Sequence, residues 1–136
     1  MNISSYPVEI LVVAWGCVLA FVHIFSAIIV KTRQYGAEWN MSARDEGTPP
    51  MGKVAARLDR AQANYFETFP LVIAVALALV VVDRNNVVTA SGASLWLVAR
   101  TAYLPLYWMG VPKLRTFVFL ASVAGMGMML WPLLLP

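Results

Sequence analysis

An all-α integral membrane four-helix bundle is the fold the sequence predicts, and two observations carry the prediction. Of 136 residues, 60% are hydrophobic and only 12% are charged, and the mean hydropathy is +0.71, which is far too apolar for a soluble domain of this size. The apolar residues also fall in four continuous stretches, Pro7 to Val30, Ala56 to Val82, Val87 to Met109 and Leu114 to Leu135. Each is long enough to cross a hydrocarbon core of about 30 Å as a helix. The runs do not alternate as strands would, which excludes a β-barrel.

Taken in order, the first span has Glu9 ahead of its continuous apolar run rather than a lysine cluster and lacks a small-residue cleavage site, so it is expected to be a mature helix and not a signal peptide. It holds Cys17, the single cysteine, so no intrachain disulfide or cysteine metal cluster can form. Cys17 and the lone histidine, His23, are expected to serve packing. Residues 31–55 form the one sizeable connection, punctuated by Gly36, Gly47, Pro49, Pro50 and Gly52, with room for a short surface helix at Ala37 to Arg44. Tight turns at 83–86 and 110–112 make the last three spans sequential antiparallel neighbours in a single domain covering 1–136. The pairs Gly16-xxx-Ala20 and Ala121-xxx-Gly125 supply small residues for close helix contact.

Charge sets the expected orientation. Lys31, Arg33, Arg44, Lys53 and Arg57 lie in or beside the first connection, and Lys113 and Arg115 beside the third, whereas the opposite side has only Arg84. Basic short loops stay cytoplasmic, so both termini are predicted on the non-cytoplasmic side. No basic run is interleaved with aromatics, which argues against nucleic acid as a partner. One histidine and scattered carboxylates argue against a metal.

The chemistry concentrates on the second span. At about 100° per residue, Arg57, Arg60, Asn64 and Glu67 share a stripe roughly 80° wide, and ionisable groups at membrane depth are functional by default. Pro70 follows Glu67 by three residues, so a local loosening of the helix is expected there. On the third span, Arg100, Tyr103 and Tyr107 share a face about 60° wide. Arg100 lies roughly 14 Å from the inner end of its helix and Glu67 about 15 Å from Arg57. These matched depths predict a buried Glu67–Arg100 ion pair, and with it a pocket between the two spans that opens toward the cytoplasm. Such a pocket suits a small, flexible, zwitterionic ligand: carboxylates on Arg57 and Arg60, an ammonium on Glu67, amides on Asn64 and the tyrosine hydroxyls.

The run Arg60-Ala-Gln-Ala-Asn64-Tyr-Phe-Glu67-Thr-Phe-Pro70 resembles the signature of the membrane-associated proteins in eicosanoid and glutathione metabolism, the family of microsomal glutathione transferases, leukotriene C4 synthase and membrane prostaglandin E synthase. Ala99-Arg100-Thr-Ala-Tyr103-Leu-Pro-Leu-Tyr107 is similar to the family's third helix, and Lys113-Leu-Arg115-Thr to the start of its fourth. The resemblance implies a homotrimer with glutathione at the subunit boundary, held by Arg60, Asn64, Glu67, Tyr103 and Tyr107. Gln62 matches a position reached from the neighbouring subunit, and Arg115 one that stabilises the glutathione thiolate. The implied activity is conjugation of glutathione to a lipophilic electrophile, or reduction of a lipid hydroperoxide, with the bilayer delivering the second substrate. Thr68 departs from the tyrosine that some eicosanoid-making members carry after the glutamate. A small proton-coupled multidrug transporter, with Glu67 as the coupling carboxylate, and a non-catalytic membrane scaffold are the competing readings.

Overall fold

The computed structural model describes residues 6–45 and 47–135, which form five helices: α1 (Val8–Tyr35), α2 (Ala37–Met41), α3 (Lys53–Val81), α4 (Val87–Met109) and α5 (Pro112–Leu134). The four long helices correspond to the four expected spans, and the short α2 lies in the first connection. Three of them, α1, α3 and α5, are long and apolar enough to cross a membrane. The fourth, α4, has the length, at 23 residues, but its serines, threonines and Arg100 dilute its apolar character.

Two helices run further than their apolar stretches. The first continues past Val30 to Tyr35 and the third begins at Lys53 rather than Ala56. Side chains explain the extension. Lys31 Nζ donates to Asp59 Oδ1 in the one ion pair among the described residues. Gln34 then accepts from the Gly52 backbone N–H at 2.8 Å and donates to the Pro50 carbonyl at 2.9 Å, while the Tyr35 hydroxyl donates to the Pro49 carbonyl at 2.8 Å. Polar residues that look like loop from hydropathy are therefore stapled into helix.

The other termini follow local rules. Asn86 caps α4, accepting from the Val88 and Thr89 backbone N–H groups while Thr89 Oγ1 accepts from the Asn86 N–H, a reciprocal capping box. Thr89 Oγ1 also donates to the buried carboxylate of Glu9 in the first turn of α1, joining two helix N-termini through one acid. Gly110 ends α4 at φ 75°, a left-handed conformation that suits glycine. Pro112 opens α5, where its missing N–H costs nothing. Pro70, Pro105 and Pro132 sit inside helices that continue past them.

Helix α5 packs mainly along α4 and also touches α3, while α1 packs along α3 and α4. The α4–α5 seam depends on Gly92 and Gly125, since a Cβ at either would stand within 2.6 Å of the other's carbonyl oxygen. Gly16 serves α1 and α3 in the same way: the Phe69 ring fills the space beside it, and the Tyr65 hydroxyl donates to its carbonyl at 2.7 Å. At the end that holds the termini, Arg84 Nη1 donates to the carbonyls of Pro132 (2.7 Å) and Leu135 (3.0 Å), closing the last turn of α5. Arg84→Ala is expected to cost about 1 kcal/mol, read as a drop of a few degrees in melting temperature of the detergent-purified protein.

Two apolar clusters fill the interior. One, toward the termini, contains Val12, Tyr65, Phe69, Trp96 and Met129, and the other, toward the loop, contains Ala27, Leu58, Tyr103, Leu104 and Tyr107. His23 and Arg100, each 1% exposed, lie at the boundary between them. His23 is packed as expected, but by stacking on Tyr65 at 4.6 Å rather than by hydrogen bonding; neither ring nitrogen has a partner among the described residues. Cys17, expected in packing, is exposed on the surface of α1.

Candidate functional site

The polar stripe of α3 does not point uniformly inward. Arg60 and Glu67 are exposed on the surface of the bundle, whereas Arg57, Asn64 and, one turn past Asn64, Thr68 are half-buried at its edge. The wheel accounts for this order: from Arg60, Asn64 lies about 40° and Thr68 about 80° around the helix toward its packed face. A stripe of the predicted width therefore straddles the rim of the bundle.

The expected Glu67–Arg100 ion pair does not form. The guanidinium of Arg100 instead donates from Nη1 to Asn64 Oδ1 and from Nη2 to Thr68 Oγ1, both at 2.7 Å. Residues 64 and 68 face α4, whereas Glu67 is turned out of the bundle; depth along the helices matched, but rotation about α3 did not. The same guanidinium lies over the rings of Tyr103 and Phe119, its central carbon 5.4 and 5.0 Å from their centroids. Its Nε is buried without a partner among the described residues.

From Arg100 an aromatic ladder runs toward the loop end. Tyr103 and Tyr107 meet edge to face at 5.4 Å, and Arg115, in the first turn of α5, holds its guanidinium 4.5 Å from the Tyr107 ring. Both tyrosines are buried, at 6% and 9% exposure. Arg57 completes this end by donating to the Trp108 carbonyl at 3.3 Å, where its charge opposes the C-terminal dipole of α4. Its guanidinium lies against Gly110, so a side chain at that turn would displace it. Gln62 is half-buried, about 140° from Arg57 around α3.

The expected pocket between the second and third spans is therefore not a closed cleft within the bundle: Arg60 and Glu67 face outward, while Arg100 and the two tyrosines face inward. A cleft of about 650 Å³ lies instead in the first connection, beside Tyr35, Trp39 and Arg44, and none of the stripe residues lines it. Sequence reasoning missed the part played by Thr68. Its spacing of four from Asn64 and of eight from Arg60 was a usable signal, because those intervals return to the same side of a helix. Among the described residues no group of three or more histidines, cysteines or carboxylates is placed to hold a metal ion.

A helical membrane protein with an arginine and a carboxylate both exposed on one helix face, beside a buried arginine held by an asparagine and a threonine, is the class these features define. A family model for the MAPEG family matches residues 12–135, nearly the whole chain, and the protein belongs to that family. It is thus an integral membrane protein of the kind associated with glutathione and eicosanoid metabolism. Neither a curated protein nor a solved structure gave a match.

Proposed function

We propose that this protein is a glutathione-dependent membrane enzyme that binds glutathione along the α3 stripe, activates its thiolate, and adds it to lipophilic electrophiles or uses it to reduce lipid hydroperoxides. The observation that carries the reading is the exposure of Arg60 and Glu67 on a MAPEG subunit. An arginine and a carboxylate facing hydrocarbon cost several kcal/mol; a neighbouring subunit and a zwitterionic tripeptide between the two would relieve both. The working unit is accordingly a homotrimer of four-span subunits with a site at each boundary.

In this arrangement the carboxylates of glutathione meet Arg60 and Arg57, its ammonium meets Glu67, and its peptide groups meet Asn64 and the tyrosine ladder of Tyr103 and Tyr107. Gln62 reaches the neighbouring subunit's site. Arg100 supports the wall from within, and Arg115 stands at the end of the ladder, where a guanidinium favours a thiolate over a thiol. The basic loops favour a site on the cytoplasmic side with the termini on the other, an arrangement in which a water-soluble cosubstrate meets a lipid-soluble one at the boundary.

Calorimetric titration of glutathione into the purified protein tests this. Binding in the micromolar to millimolar range, weakened at least about tenfold by Arg60→Ala or Glu67→Ala, is the expected result, since each removes a charge-assisted contact. A wild-type protein that takes up no glutathione overturns the proposal.

A further inference from the structure

The hydrogen bonds around Arg100 decide which end of the Asn64 side chain is available to a ligand. A guanidinium has donors and no acceptor, so the Asn64 atom facing Arg100 at 2.7 Å must be the amide oxygen. The amide nitrogen, on the other branch of this half-buried side chain, is left with no acceptor for its protons among the described residues. Thr68 locks this choice. Its single hydroxyl proton is directed to the α3 backbone, with the Asn64 carbonyl at 3.1 Å and the Tyr65 carbonyl at 3.2 Å, which leaves only lone pairs for Arg100 Nη2. Arg100 is fully enclosed, has no carboxylate within ion-pairing distance among the described residues, and has nowhere else to turn.

We infer that Arg100 and Thr68 are positioning residues that hold the Asn64 amide with its oxygen inward and its NH₂ outward, so that Asn64 selects an acceptor oxygen of the bound peptide. The inference rests on glutathione being the ligand and adds to it a division of labour. Asn64 takes a peptide carbonyl or carboxylate oxygen and rejects an ammonium, which is left for Glu67 on the far side of Arg60. Flipping the amide would set its protons against the buried guanidinium of Arg100, so the preference belongs to the folded chain and does not wait for the ligand.

Asn64→Asp is the decisive variant, because it keeps the shape and gives Arg100 a carboxylate while removing the outward donor. Its melting temperature is expected at or above that of the wild type, and its affinity for glutathione, by calorimetry, is expected to fall at least about tenfold. Thr68→Val removes the acceptor that steadies Arg100 and is expected to weaken binding roughly three- to tenfold, with Thr68→Ser restoring it to within about twofold. Wild-type affinity in Asn64→Asp overturns the inference while leaving glutathione binding intact. So does a melting temperature of Asn64→Asp below the wild type, or an equal loss in Thr68→Val and Thr68→Ser. A wild-type protein that does not bind glutathione sinks the inference together with the function it rests on.

Discussion

Arg115→Ala is expected to abolish most of the thiolate on bound glutathione near neutral pH while leaving much of the binding in place. An ordinary thiol ionises near pH 8.5, and each unit by which a neighbouring guanidinium lowers that point is worth about 1.4 kcal/mol and about tenfold in thiolate below it. Arg115 stands in the first turn of α5, over the ring of Tyr107, where the helix N-terminus adds to its positive field. Ultraviolet absorbance of the thiolate, recorded across pH for wild type and variant at saturating glutathione, measures the effect directly. A variant whose titration midpoint rises by a unit or more supports the assignment; coincident curves remove Arg115 from the chemistry. Because Tyr107 also loses its cationic neighbour, affinity is expected to fall as well, though by less than the thiolate does.

The largest effect on stability is expected at the α4–α5 seam. A side chain at Gly125 would place its Cβ 2.5 Å from the Gly92 carbonyl oxygen and 2.9 Å from the Trp96 amide nitrogen, both backbone atoms of α4 that cannot step aside alone. Gly125→Leu is therefore expected to cost about 3 kcal/mol or more, at the upper end of overpacking penalties. Thermal or denaturant unfolding in detergent, with Gly127→Ala as the control, tests the claim, since a Cβ at Gly127 meets nothing within 4 Å. If both variants melt alike, the helices do not meet at Gly125.

Much of this architecture was legible in the residues. Continuous apolar runs located all four long helices, and Asn86, Gly110 and Pro112 marked turns that the chain does make. Helix ends were read less well: Lys31 and Gln34 look like loop by hydropathy but are helical because Asp59 and Gly52, more than fifteen residues away, supply their partners. The site shows the same limit. Spacing within α3 put Arg57, Arg60, Asn64 and Glu67 on one stripe, but the angle at which α3 is turned toward α4 depends on how Leu58, Ala61, Tyr65 and Phe69 pack, and no single helix encodes that. An error of one neighbouring position around the helix was enough to assign Arg100 to Glu67 instead of to Asn64 and Thr68. Charge attraction suggested the pair; packing of the apolar face decided against it.

The guanidinium enclosed by neutral partners also bears on biogenesis. A lone arginine at the centre of an inserting segment costs about 2.5–3.5 kcal/mol on the insertion scale, and α4, which carries Arg100, is the one long helix that falls short of the apolarity expected of a span. Asn64 and Thr68 on α3 supply the missing solvation, and the short connection at 82–86 makes the two helices sequential neighbours. In the four-span arrangement proposed above, α3 and α4 are expected to enter the lipid together as a helical hairpin, which shelters the arginine.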